Sequence, residues 1–200
     1  MIAGAGLWTF AELADELREG ELLLIDLRIF AQIHPYQYPL LRKLALFFSD
    51  LLALPYVLIP VIPMLAYLYI SQRYRVAAML IAVPFGTVVV VEALKAIFGR
   101  VRPITAQITE LGKSFPSGHA TLSVVIYGLL GYIAWRYLVV RRRARALVLA
   151  ITLLLILATG LSRVFLQVHY PSDVLAGWTA GACITLGTII LLEKWRRKMD

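Results

Sequence analysis

Ser162-Arg163-Val164-Phe165-Leu166-Gln167-Val168-His169-Tyr170-Pro171-Ser172-Asp173 sets an arginine, a histidine and an aspartate between two apolar runs, 146–161 and 174–192. Such runs approach the roughly 20 apolar residues needed to cross a bilayer core of about 30 Å. Ionisable groups at the mouth of membrane segments are costly to place, which marks them as functional. Working outward, three further runs, 44–70, 76–98 and 120–137, read as spans. Pro55, Pro60 and Pro63 are expected to kink the first of them. The expectation is an all-α, polytopic transmembrane helix bundle: one domain over 1–200, with five spans within 44–200.

Composition agrees. Hydrophobic residues make up 60% of the chain and mean hydropathy is +0.79, too apolar for an ordinary soluble domain, where about half the residues are apolar. The net charge of +8 does not point to nucleic acid, because the cations gather at the ends of apolar runs, where membrane orientation accounts for them. Cys183 is the single cysteine, so neither an intrachain disulfide nor a cysteine metal cluster can form.

Residues 1–43 are too polar to span. Thr9 and Glu12 fit a capping box, Phe10, Leu13 and Leu17 share a helical face, and Gly20 can end that helix. The stretch 22–33 is interrupted by Asp26, Arg28 and Gln32. Two amphipathic helices are expected, either lying at the membrane interface or packed on the external loops. Arg73, Arg75, Arg136, Arg141, Arg142, Arg143, Arg145, Lys194, Arg196, Arg197 and Lys198, eleven of the 20 basic residues, fall on one side. That side is expected to be cytoplasmic, in a plasma or inner membrane, so the polar islands face the periplasm or cell exterior. Five spans then leave the N-terminus outside without a signal, which an additional preceding span would resolve.

Three polar islands carry the chemistry. In the first, Lys95 and Arg102 are seven apart, nearly two turns, so both cations leave one helix face before Pro103. Such a pair suits a dianion, arginine as a fork and lysine as a point charge. The alternative is snorkelling to head groups, which is the reading given to Arg100. Glu92 can pair with Lys95 at i, i+3. In the second, Pro116-Ser117-Gly118-His119 opens a span; Ser117 is a good N-cap, and free first-turn amides make an anion site. His119 stands there as a proton carrier. The alternative is a plain cap with an incidental histidine. In the third, Arg163 adds a cation, His169 and Asp173 are four apart, and Ser172 can cap the last span. A carboxylate beside a histidine is the nucleophile–orienter arrangement, against a histidine satisfied by local hydrogen bonds. Together the islands supply complementary parts on one membrane face.

Lys95 with Arg102-Pro103, Pro116-Ser117-Gly118-His119, and Ser162-Arg163 with His169 and Asp173 resemble, position by position, the motifs of the type 2 phosphatidic-acid phosphatase family, relatives of the vanadium haloperoxidases. The resemblance implies that His169 attacks phosphorus to form a phosphohistidine, that Asp173 holds it, and that His119 protonates the leaving oxygen and then activates water. It implies that Lys95, Arg102, Arg163, Ser117 and the Gly118 amide bind the phosphoryl oxygens, with no metal and no cofactor. Phosphoryl transfer needs mainly positioning and electrostatic stabilisation, which three cations can provide. The expected substrate is a membrane lipid phosphate or diphosphate: a polyprenyl diphosphate such as undecaprenyl diphosphate, phosphatidylglycerol phosphate or phosphatidic acid. Transfer of the phosphoryl group to another lipid is the alternative reaction. Family members commonly have six spans against five counted here. Oligomeric state leaves no mark in the sequence.

Overall fold

The computed structural model describes residues 2–36 and 38–197. Lys198, one of the basic residues counted above, lies outside them. The described chain is helical, without strands: α1 (Ile2–Glu19), α2 (Glu21–Ile33), α3 (Pro39–Asp50), α4 (Leu58–Ile70), α5 (Tyr74–Phe98), α6 (Gly118–Ile133, continued by a π-helical turn over Ala134–Leu138), α7 (Arg142–Phe165) and α8 (Pro171–Arg197). Helices satisfy their own backbone groups, as a hydrocarbon surround demands.

Four of these are long and apolar enough to cross a membrane: Tyr74–Phe98, Gly118–Leu138, Arg142–Phe165 and Pro171–Arg197. They match the expected second to fifth spans. The expected first span does not form one helix. It is broken over 51–57 into α3 and the 13-residue α4. At 1.5 Å per residue α4 is about 20 Å long, short of a bilayer core. The break coincides with Pro55, whose missing N–H cannot continue an α-helical ladder, whereas Pro63 is accommodated inside α4.

α6 lies at the centre, packed on α5, α7 and α8. Val125, Leu129 and Ile133 on α6 join Leu68, Leu80 and Leu192 in one buried cluster. The α6–α8 crossing is close because α8 presents Gly177 and Gly181. A Cβ at either would come within 2.7 Å of a backbone oxygen, that of Ser117 or Thr121, an approach that only glycine permits. The same crossing brings the Ser117 amide to the Asp173 carbonyl at 3.0 Å.

α5 to α8 run alternately up and down, so the end of α5, the start of α6, the end of α7 and the start of α8 share one end of the bundle. Gly99, in the left-handed region at φ 64°, ends α5, and the segment 99–117 crosses that end to reach α6. The N-terminal helices pack there too. α1 runs unbroken through Thr9, so Thr9 and Glu12 do not cap it, and Gly20 (φ 82°) follows its last turn as expected. Phe10, Leu13 and Leu17 do share a face, packed on Phe115 and Ala176. On α2 the buried positions Leu22, Asp26 and Phe30 recur every four residues, while Leu23, Leu24, Ile25 and Leu27 are exposed.

Candidate active site

The site forms where those four helix ends meet. Ser117 caps α6, its Oγ accepting from the Ala120 amide at 3.4 Å. Lys95 donates to Glu92 at 2.7 Å, as the i, i+3 spacing indicated. A Cβ on Gly118 would lie 3.6 Å from Val91 Cγ1 and 3.8 Å from Lys95 Nζ. Gly118 thus sets the start of α6 next to the Lys95 ammonium.

His169, 1% exposed, sits in the turn between α7 and α8. Its Nδ1 lies 2.8 Å from the Ser114 carbonyl oxygen, and its Nε2 lies 3.0 Å from Arg102 Nη1. A carbonyl can only accept and a guanidinium can only donate. The ring is therefore the neutral tautomer with its proton on Nδ1 and a lone pair on Nε2. Burial lowers the pKa of His169 and the guanidiniums of Arg102 and Arg163 lower it further, against an opposing pull from Asp173. Asp173 Oδ2 stands 3.6 Å from Nδ1, so the Ser114 carbonyl takes the shorter contact and the carboxylate flanks the ring.

Arg102 and Arg163 converge on one carboxylate, which the sequence did not single out, while Lys95 stays with Glu92. Glu110 pairs with Arg163 Nη2 and with Arg102 Nη1 at 2.9 Å, and its Oε2 is 3.8 Å from His169 Nε2. Burial alone would raise its pKa. The positive charge around it, that of Arg163 first and Arg102 with it, outweighs that and holds it below the usual carboxylate range. His169 reaches that anion from the α7–α8 turn, while His119 lies in the first turn of α6, next to the Ser117 cap. Arg163 is buried, fixed by Ser49 of α3 as well as Glu110, and its Nε has no hydrogen-bond partner among the described residues.

Two sequence readings need correction. Arg100 does not snorkel. It donates to Asp173 Oδ1 at 2.6 Å, Ser172 Oγ at 2.7 Å and Asp26 Oδ2 at 2.7 Å, with Tyr170 stacked 4.0 Å from its guanidinium. Ser172 does not precede α8 as its cap; it lies in the first turn, and its amide donates to Asp26 Oδ1 at 2.9 Å. Asp173 itself reaches back to the Tyr170 amide at 2.9 Å. Spacing along the chain could not reveal Asp26 or Glu110, because each is a lone acid whose partners are distant in sequence. The one available signal was periodicity: Asp26 sits on the apolar face of α2.

A family model described as PAP2 superfamily matches residues 74–197. Over 91 residues the chain is 34% identical to phosphatidylglycerophosphatase B of Bacillus subtilis, covering 45% of each protein. Over 82 residues it is 35% identical to lipid A 1-phosphatase of Rhizobium johnstonii, covering 41% of this chain and 29% of that protein. The matched stretches thus span less than half of either curated relative. The crystal structure of a transmembrane PAP2 type phosphatidylglycerolphosphate phosphatase from Bacillus subtilis superposes with a TM-score of 0.88 at 23% identity, covering 99% of this chain and 97% of that one. Aquifex aeolicus LpxE gives a TM-score of 0.63 at 27% identity, covering 82% and 93%. The matched region contains all three polar islands and the four long helices that present them: the chain belongs to the PAP2 superfamily.

Proposed function

We propose that the protein hydrolyses a lipid phosphate or lipid diphosphate through a phosphohistidine, at the non-cytoplasmic membrane face. The observation that carries this reading is the neutral His169, whose Nε2 lone pair faces the cationic cluster 3.0 Å from Arg102. Nε2 attacks phosphorus, and the P–O bond to the lipid breaks as His119 gives its proton to the leaving oxygen. His119 then takes a proton from water as the water oxygen attacks phosphorus, and the P–N bond breaks to release phosphate. Arg102, Arg163, Lys95, Ser117 and the Gly118 amide hold the phosphoryl oxygens as charge shifts between them. The Nε of Arg163, without a hydrogen-bond partner among the described residues, supplies a further donor.

The phosphoryl group takes the place of the Glu110 carboxylate. Both are small anions, and a dianion binds the same guanidiniums more strongly than a carboxylate does. A groove of about 380 Å³ between α3 and α7, lined by Leu44, Phe48, Leu161, Ser162 and Phe165 among others, suits the lipid tail. The lipid phosphatases among its relatives support this substrate class, and phosphatidylglycerol phosphate is the first candidate to assay. The opposite bundle end carries the concentrated Arg and Lys residues, which supports an outward-facing site.

The test is phosphate release by the purified protein in detergent, with EDTA present, from a panel of phosphatidylglycerol phosphate, phosphatidic acid and undecaprenyl diphosphate. Release from one lipid without an acceptor supports hydrolysis. Release only when a second lipid is added identifies a transferase. His169→Ala is expected to abolish both.

A further inference from the structure

Asp26 is a carboxylate with 1% exposure on the buried stripe of α2, outside the family-matched stretch, and the proposed chemistry does not use it. Burying a charge is unfavourable unless it is fully paired, and Asp26 is fully paired. Oδ1 accepts from the Ser172 amide at 2.9 Å. Oδ2 accepts from Ser172 Oγ at 2.6 Å and Arg100 Nη2 at 2.7 Å. The other arm of the guanidinium, Nη1, holds Asp173 Oδ1 at 2.6 Å.

We infer that Asp26 is a positioning residue for the reaction, reaching the nucleophile through Arg100 and Asp173. This rests on the reading of His169 as the nucleophile. Arg100 has a two-pronged guanidinium, and Asp173 has two oxygens. Left to themselves they would form a bidentate pair, which is the preferred geometry. Asp26 occupies one prong and prevents that. Asp173 keeps one oxygen on Arg100 while Oδ2 stays turned to the Tyr170 amide and the His169 ring. Charge balance leads to the same conclusion. Two carboxylates share one guanidinium, so the trio carries one net negative charge beside the imidazole. That charge stabilises the cationic ring formed when Nε2 bonds to phosphorus. Without Asp26, Arg100 would neutralise Asp173. By this account the N-terminal hairpin is part of the active site.

A double-mutant cycle on the full chain in detergent tests the inference, using phosphate release from the best lipid of the panel. Asp26→Asn keeps the shape and removes the charge; it is expected to lower kcat about 30-fold with KM within about threefold. In the Asp173→Asn background the same change is expected to cost less than about threefold, because a residue acting through Asp173 has nothing left to act through. A residue needed only for folding would give additive losses. Additive losses, or an Asp26→Asn enzyme within about threefold of the native kcat, overturn the inference. If Asp26→Asn is not recovered folded, Ser172→Ala removes one tie of the same network. About a fivefold kcat loss, absent in the Asp173→Asn background, supports the role; no loss or an additive one overturns it. His169→Ala separates the two levels: retained turnover defeats the phosphohistidine reading itself, whereas a dead enzyme with an additive cycle defeats only the role of Asp26.

Discussion

The two ends of the bundle are both rich in arginine, and they use it differently. At the site end the side chains of Arg163, Arg100 and Arg102 are 1%, 9% and 11% exposed, each tied to buried or half-buried acids. At the opposite end Arg136 and Arg196 are 29% and 35% exposed and share Glu193, which also accepts from Tyr132 at 2.5 Å. Arg73 there lies 4.1 Å from the Tyr137 ring. Exposed pairs are screened and contribute little. Desolvated cations with fixed partners act strongly on whatever anion enters. Burial, not the number of arginines, separates the proposed catalytic end from the end proposed to orient the chain in the bilayer.

Removing cations from each end should break or confirm that contrast. Arg163→Ala is expected to lower kcat/KM by about 10³-fold or more, whereas Arg136→Ala should stay within about twofold. Parallel assays of the two variants check this; similar losses would erase the distinction. Arg163→Lys is expected to recover only part of the activity, remaining about 10²-fold down, because an ammonium cannot hold Ser49 and the phosphoryl oxygens in one plane as a guanidinium does. Glu110→Gln should sharpen the contrast from the other direction. Removing the resident negative charge is expected to tighten vanadate inhibition about tenfold, about 1.4 kcal/mol, measured as an inhibition constant. Weaker vanadate binding would mean that Glu110 does not compete for the cup.

The smallest effect concerns pH. The pKa of His169 is depressed below the ordinary imidazole value of 6.5, so the ring stays neutral as pH falls through that value and protonates only further down. Phosphoenzyme formation, corrected for substrate ionisation, should therefore change less than about twofold between pH 7.5 and 6.5. A midpoint at or above 6.5 would show that the imidazole is not desolvated.

Much of the site was legible because its parts lie at fixed short spacings on helix ends. Ser117 through His119 and His169 with Asp173 each keep a local register that the chain itself displays; Lys95 and Arg102 do not share a helix face as their spacing suggested, because α5 ends at Phe98 and Arg102 lies in the segment beyond Gly99. The partners of those residues were not legible. Arg100 reads as an ordinary span-end cation until α2 brings Asp26 against it, 74 residues away. Glu110 sits in a segment without periodicity, and only the fold sets it among the cations. The continuity of 44–70 was overestimated because apolarity persists through the break at 51–57, and hydropathy does not register a lost backbone ladder. Thr9 and Glu12 have capping chemistry, yet α1 starts earlier, and tertiary packing of its apolar face on Phe115 and Ala176 outweighs a local cap.

The central claim is that His169 forms a covalent bond to phosphorus within the cup. The direct measurement is mass spectrometry of the enzyme quenched in alkali during turnover of a lipid phosphate, since phosphohistidine survives base. The account predicts a phosphoryl group on His169, accumulating further in His119→Ala, where water activation is impaired. Turnover with no phosphate on His169, or with the label on another residue, would contradict it.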